Sequence, residues 1–297
     1  MSSGSLAGAQ LDALLTGDWL TRGPLLLSED LTPRELESSL ALENARRFLA
    51  TLLEAGALPA TSDGALAHEA LDRLLDILRW GAPDYGARVR AEFRADLREG
   101  DVQPVRIMRL VLERLGLMER GDGVFLPTVD TAGALGQQRA AWLFARMFRA
   151  YFRDFDHARS DPEDPAPEIH RHSAYSLWVI GQVGDAWWQT EDLLRLLLPR
   201  TVLAAETRRL TRLGGRAARA PGFRLVPGPL ELLLRRFLEI LPDYGLLESA
   251  PSLGKSTVAY PRYRKTPLFD RFIRFDFGVD PTPHLEVSPL GSLRLLR

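Results

Sequence analysis

Between residues 154 and 172 stand Asp154, Asp156, His157, Glu168, His170 and His172, side chains of types that hold metals. Such oxygen and imidazole donors suit zinc, iron or manganese, and an extended chain would put His170 and His172 on one side. Pro162, Pro165 and Pro167 break the same stretch, however, and charge is how a broken loop stays solvated. Solvation accounts for the acids, so no metal ligand is assigned. A second stretch, Leu253-Gly254-Lys255-Ser256-Thr257, resembles the end of a phosphate-binding loop. The first glycine of that motif would fall at Ser249, and Val258-Ala259-Tyr260-Pro261 is no helix start. A turn that leaves Lys255 facing water fits better. No His-Glu-x-x-His, Gly-x-Ser-x-Gly or Gly-x-Gly-x-x-Gly occurs. The expectation is no catalytic residue, no cofactor and no enzymatic activity.

Cations give the remaining candidate chemistry. Arg208, Arg209, Arg212, Arg216, Arg219 and Arg224 follow one another with no acid after Glu206. Arginines on a duplex backbone release counterions, so this run, without Arg224 but with Lys255, Arg262, Arg264 and Lys265, is the candidate nucleic-acid contact set. The helix beside it argues otherwise. Residues 230–241 are apolar around most of the circumference, and Glu231, Arg235, Arg236 and Glu239 cancel in charge, whereas a groove-reading helix needs a polar, basic face. It is built to pack. The leading expectation is an interaction or scaffold protein with a protein partner, the alternative is a DNA-binding regulator, and a metal-dependent enzyme using His170 and His172 ranks third.

The elements that would position these residues repeat. In 227–277 an apolar helix runs into Tyr244-Gly245-Leu246-Leu247-Glu248, then a turn, an extended stretch at 257–264 and Thr266-Pro267. Helix, Gly-Leu exit, hairpin and Thr restart is the element order of a winged-helix module. Residues 104–128 repeat it, with Val105, Met108, Leu112 and Leu115 as the stripe, Gly116-Leu117 as the exit and Asp122-Gly123 as the hairpin signal. A shorter third copy spans Phe48, Gly56, Leu58 and Thr61. The fold expected is mainly α, a helical bundle with two or three winged-helix-like modules carrying small β-hairpins.

Other segments read as helices. Thr32-Pro33-Arg34-Glu35 is a capped start, and 65–80 and 89–97 follow. Residues 133–155 carry the strongest stripe, with Trp142, Leu143, Met147, Phe148, Tyr151 and Phe152 at helical spacing, and their role is core packing. Helices are expected at 172–183 and 187–198, the second capped by Thr190. The domains expected are 1–199, an arginine-rich helix and linker at 200–226, and a C-terminal module with its tail at 227–297.

A chain of 297 residues with 45% hydrophobic residues and a net charge of −1 has room for about two domains, and no single-sign field dominates. It holds no cysteine, which excludes disulfides and thiolate chemistry. The opening residues have no signal-peptide pattern and no apolar run reaches the roughly 18 residues a membrane span needs, so a bacterial cytoplasm is expected, with no membrane partner.

Three stretches together carry a resemblance: Leu58-Pro59-Ala60-Thr61-Ser62-Asp63-Gly64-Ala65-Leu66; Leu115-Gly116-Leu117-Met118-Glu119 with Val124-Phe125-Leu126-Pro127-Thr128; and 148–155. In order and spacing the chain resembles an uncharacterised bacterial family of helical, winged-helix-like proteins that accompany plasmid-type open-reading-frame domains. The resemblance implies a fold and no catalytic residue. Where those relatives show Thr-Pro-Leu-Gly after the last wing, this chain has Thr266-Pro267-Leu268-Phe269.

Overall fold

The structure, a computed structural model, describes residues 6, 8–155, 167–217, 228–251, 260–278, 285–287 and 293–295. It is mainly helical with small antiparallel sheets. Contacts group the chain into two units: a central one, Glu29–Tyr151, and a discontinuous one made of Met1–Ser28 and Phe152–Arg297. The segment 200–226, expected to separate two domains, falls within the discontinuous unit. Helix α1 (Gly8–Thr16) leads to strand β1 (Leu25–Leu27), which pairs antiparallel with a strand near the C-terminus, Leu25 opposite Phe275 and Leu27 opposite Ile273. Such a pairing leaves no trace in local composition. One close approach shapes the turn between α1 and β1: a Cβ on Gly23, whose φ is +116°, would lie 2.7 Å from the Gly17 Cα.

The central unit begins with α2 (Leu40–Ala55), whose Ser39 hydroxyl accepts from the Leu42 amide at 3.2 Å. The bonds expected between Thr32 and Glu35 do form, with the Thr32 amide 2.8 Å from Glu35 Oε2. They close a turn, and the helix starts only at Leu40 because the extended backbone of Ser39 interrupts it. Then come β2 (Leu58–Pro59), α3 (His68–Ile77), α4 (Tyr85–Phe93), α5 (Gln103–Arg114), and the hairpin of β3 (Met118–Arg120) with β4 (Val124–Pro127). Leu58 pairs with Phe125 and Met118 with Pro127, giving the order β2-β4-β3. The third copy expected around Phe48 and Thr61 is thus not a separate module. It is the first helix and first strand of the sheet that the 104–128 hairpin completes. The helix expected at 133–155 is broken into α6 (Thr131–Ala134) and α7 (Ala140–Arg149), with an i→i+5 turn at Ala150–Asp154. Phe48, Leu52, Leu71, Leu74, Leu112, Phe125 and Phe144 are buried and form its core.

The discontinuous unit continues with α8 (Pro167–Arg171), α9 (Ser173–Gln182), β5 (Trp188–Gln189), α10 (Thr190–Leu194) and α11 (Arg200–Ala217). Helix α12 (Pro229–Leu233) runs on through an i→i+5 turn at Leu234–Leu238. Strands β6 (Leu247–Ala250) and β7 (Arg262–Lys265), helix α13 (Pro267–Phe272) and β8 (Ile273–Phe275), the partner of β1, follow, and β9 (Leu285–Val287) pairs with β10 (Leu293–Leu295). Trp188 pairs with Tyr263 and Leu247 with Lys265, so the order is β5-β7-β6. Where a helix was expected from 187, Trp188-Gln189 is strand, and the Thr190 hydroxyl donates to the Pro261 carbonyl instead of capping. Phe152 meets Phe237 edge to face at 5.4 Å in this core. No helix among the described residues is long and apolar enough to cross a membrane.

The two units repeat one device. Gly116 and Gly245 both take positive φ, 68° and 73°. The Leu117 amide donates to the Leu112 carbonyl at 3.0 Å, and the Leu246 amide to Leu241 at 3.1 Å, the closure that ends a helix on a left-handed glycine. A threonine after each hairpin locks it from outside: Thr128 Oγ1 donates to the Gly116 carbonyl at 2.7 Å and Thr266 Oγ1 to the Gly245 carbonyl at 2.8 Å.

Candidate functional site

The helix that enters each hairpin has an inner and an outer side, and the exit glycine indexes both. Seven residues before Gly116 stands Arg109, and seven before Gly245 stands Leu238. Both are buried. Leu238 simply packs. Arg109 grips Glu99 with two bonds, Nε to Oε1 at 2.5 Å and Nη2 to Oε2 at 2.8 Å, while Nη1 reaches Glu113. The short 3-10 turn Glu99–Asp101 presents Glu99, and the Asp101 carboxylate, accepting from the Arg98 amide at 2.9 Å, holds that turn. The guanidinium lies 5.0 Å from the centre of the Phe125 ring. Burial works against the Arg109 charge, but the bonds and charge of Glu99 outweigh it and keep the guanidinium protonated. Burial also pushes the Glu113 carboxyl up, and Arg109, already gripped by Glu99, only partly opposes it. Side-chain exposures of 7% and 2% for Arg109 and Glu99 mark the group as an internal lock.

On the outer side, counting two, six and ten residues back from Gly116 gives Arg114, Leu110 and Arg106. The same count from Gly245 gives Asp243, Glu239 and Arg235. All six are exposed or half-exposed. At these positions α5 thus carries two positive charges, its half-exposed Glu113 being turned to Arg109, whereas the other segment carries one positive charge on the helix and two negative ones in the turn that follows it. Arg235 lies 3.9 Å from Glu231, whereas neither Arg106 nor Arg114 takes part in an ion pair among the described residues. Arg236, expected to face water, is buried next to the exposed Arg235, among the buried Leu233, Leu234 and Phe237 of the same segment.

The cations selected from the sequence have different surroundings. Arg208 and Arg212 are exposed on successive turns of α11, while Arg209 folds back on the buried Glu206 at 2.7 Å. Arg216 lies in the last turn of that helix; Arg219, Arg224 and Lys255 lie outside the described residues. Arg262 and Arg264 stack on Trp187, with guanidinium carbons 5.3 and 4.8 Å from its ring centres, and Arg264 also binds Glu248. The Lys265 side chain is 7% exposed and holds Asp270 at 2.9 Å. Among the described residues, the cations of the last hairpin are therefore engaged within the chain.

Of the metal-type residues, Asp156 and His157 lie outside the described residues, as does the 253–257 stretch. Asp154 pairs with Arg153 at 2.8 Å, and buried His172 turns Nδ1 to the Glu168 carbonyl at 2.8 Å. Among the described residues no three His, Asp or Glu side chains gather as a metal site. Arg106 and Arg114 went unselected in the sequence because arginine is common throughout it. The count back from Gly116 was the signal that singles them out. Compared with known protein families, curated proteins and solved structures, the chain matches none.

Proposed function

We propose that each unit carries a winged-helix-like module and that the chain is a non-enzymatic, cytoplasmic interaction or scaffold protein. The module reading rests on element order: helix, short strand, helices, then a hairpin whose second strand lies between the first strand and its own partner, in both β2-β4-β3 and β5-β7-β6. The observation that carries the functional reading is the state of the C-terminal module's cations. Arg264 is matched by Glu248 and Lys265 by Asp270, and the helix before that hairpin, with the turn that follows it, places Arg235, Glu239 and Asp243 outward. A duplex is bound through unmatched cations, and this face offers net negative charge. Among the described residues, Arg208 and Arg212, exposed on α11, and the outward Arg106 and Arg114 of α5 favour the alternative, a DNA-binding regulator.

The deciding experiment is fluorescence anisotropy of a labelled duplex of about 20 base pairs, titrated with the full chain from about 50 to 200 mM salt. The expected result is weak binding, with a dissociation constant no tighter than about 1 μM at the higher salt. Tighter binding that falls steeply with salt and is lost in Arg208→Ala/Arg212→Ala would replace this reading with the alternative.

A further inference from the structure

The outer face of α5 has the composition of a docking surface. Ile107 and Leu110 are half-exposed at its centre, Arg106 adjoins them and Arg114 follows one turn beyond Leu110. Eight residues of helix place the two arginine positions about 12 Å apart along the axis. The opposite side of α5 is anchored by buried Val105 and Leu112 and by the Arg109 lock, so the outer face is held in one orientation. Its rotation would break that lock.

We infer that this face docks an acidic amphipathic helix of a partner protein. Aliphatic side chains of the partner would cover Ile107 and Leu110, and carboxylates about two turns apart would meet Arg106 and Arg114. Two observations select this occupant over a nucleic acid. The centre of the face is aliphatic, where a groove-reading helix carries polar side chains. Its cations stand at the rim, where charge selects a partner of opposite sign. The corresponding positions of the other unit, Arg235, Glu239 and Asp243, have no central aliphatic residue and serve as an internal control. The inference rests on reading the chain as an interaction protein and names the surface and the chemistry of its partner.

The test uses the full chain and a fluorescein-labelled helical peptide of about 18 residues, with leucines along one face and glutamates flanking them. A twin peptide with lysines in place of the glutamates and the duplex described above complete the set. Saturable binding of the acidic peptide is expected, weakened at least about tenfold by Arg106→Glu/Arg114→Glu and by Leu110→Asp, and unchanged by Glu239→Arg. Circular dichroism melting of each variant reports whether it is folded, and Arg106→Gln/Arg114→Gln gives a milder second pair. Equal binding of the lysine peptide, unchanged binding by folded reversal variants, or no binding of the acidic peptide would overturn the inference. So would concentration-dependent self-association abolished by the same variants, which would make a second copy the occupant. Tight duplex binding would overturn the interaction reading itself, whereas failure of peptide and duplex together would remove only the assignment of this face.

Discussion

The central and discontinuous units build the same strand order and the same glycine-threonine closure, yet fill the equivalent inner position with Arg109 in one and Leu238 in the other. A leucine needs only apolar neighbours. A buried arginine needs every donor answered, and Glu99, Glu113 and the Phe125 ring supply the answer. The topology is thus set by the exit glycine, the hairpin and the threonine, and the chemistry inside the helix is interchangeable provided polar groups are paired.

The largest expected effect breaks that pairing. Glu99→Ala leaves the Arg109 guanidinium buried beside Glu113 alone and should cost about 3–5 kcal/mol in urea unfolding. Transplanting the other unit's solution as Arg109→Leu with Glu99→Leu should fall within about 1 kcal/mol of the parent or be more stable. A double variant as unstable as the single one would show that the two interiors are not exchangeable. Next in size are Thr128→Val and Thr266→Val. Each removes the donor to its exit glycine carbonyl, and each should lower stability by about 1–2 kcal/mol by the same measurement. A loss confined to one unit would mean that the shared closure carries weight in that unit only.

A smaller effect concerns pH. The raised carboxyl of Glu113 means that its protonation stabilises the folded chain. That contribution is complete below the unfolded carboxyl value, about 4.3, and is lost as pH rises through the higher folded value. Glu113→Gln should therefore flatten the decline of stability with rising pH in that window, followed as the urea midpoint against pH. An unchanged slope would place the titration elsewhere. Smallest is Arg264→Ala, which gives up a partly exposed ion pair and a stack on Trp187 and should cost no more than about 1 kcal/mol of thermal stability.

Several features were legible in the residues. The Gly-Leu exits at 116 and 245, the Asp122-Gly123 turn and the threonine restarts are local signals, and each lies where a helix ends or a hairpin closes. The strands β2 and β5, each of two residues, were not legible, because two residues show no alternation. Missing Trp188-Gln189 turned Thr190 into a helix cap, when its hydroxyl reaches across to Pro261. The surroundings of the candidate cations were not legible either. Lys265 and Arg264 looked like solvent-facing wing charges until Asp270 and Glu248 were found beside them.

The chain order by itself determined where helices stop and hairpins turn, since those choices depend on residues within a few positions of one another. Only the tertiary structure decided that residues 25–27 join 273–275, that Arg109 belongs to Glu99, and which charges of the segments before the two exit glycines face outward. Each of these depends on which distant groups are brought together or which side of a helix meets the core, and side-chain type alone carries neither.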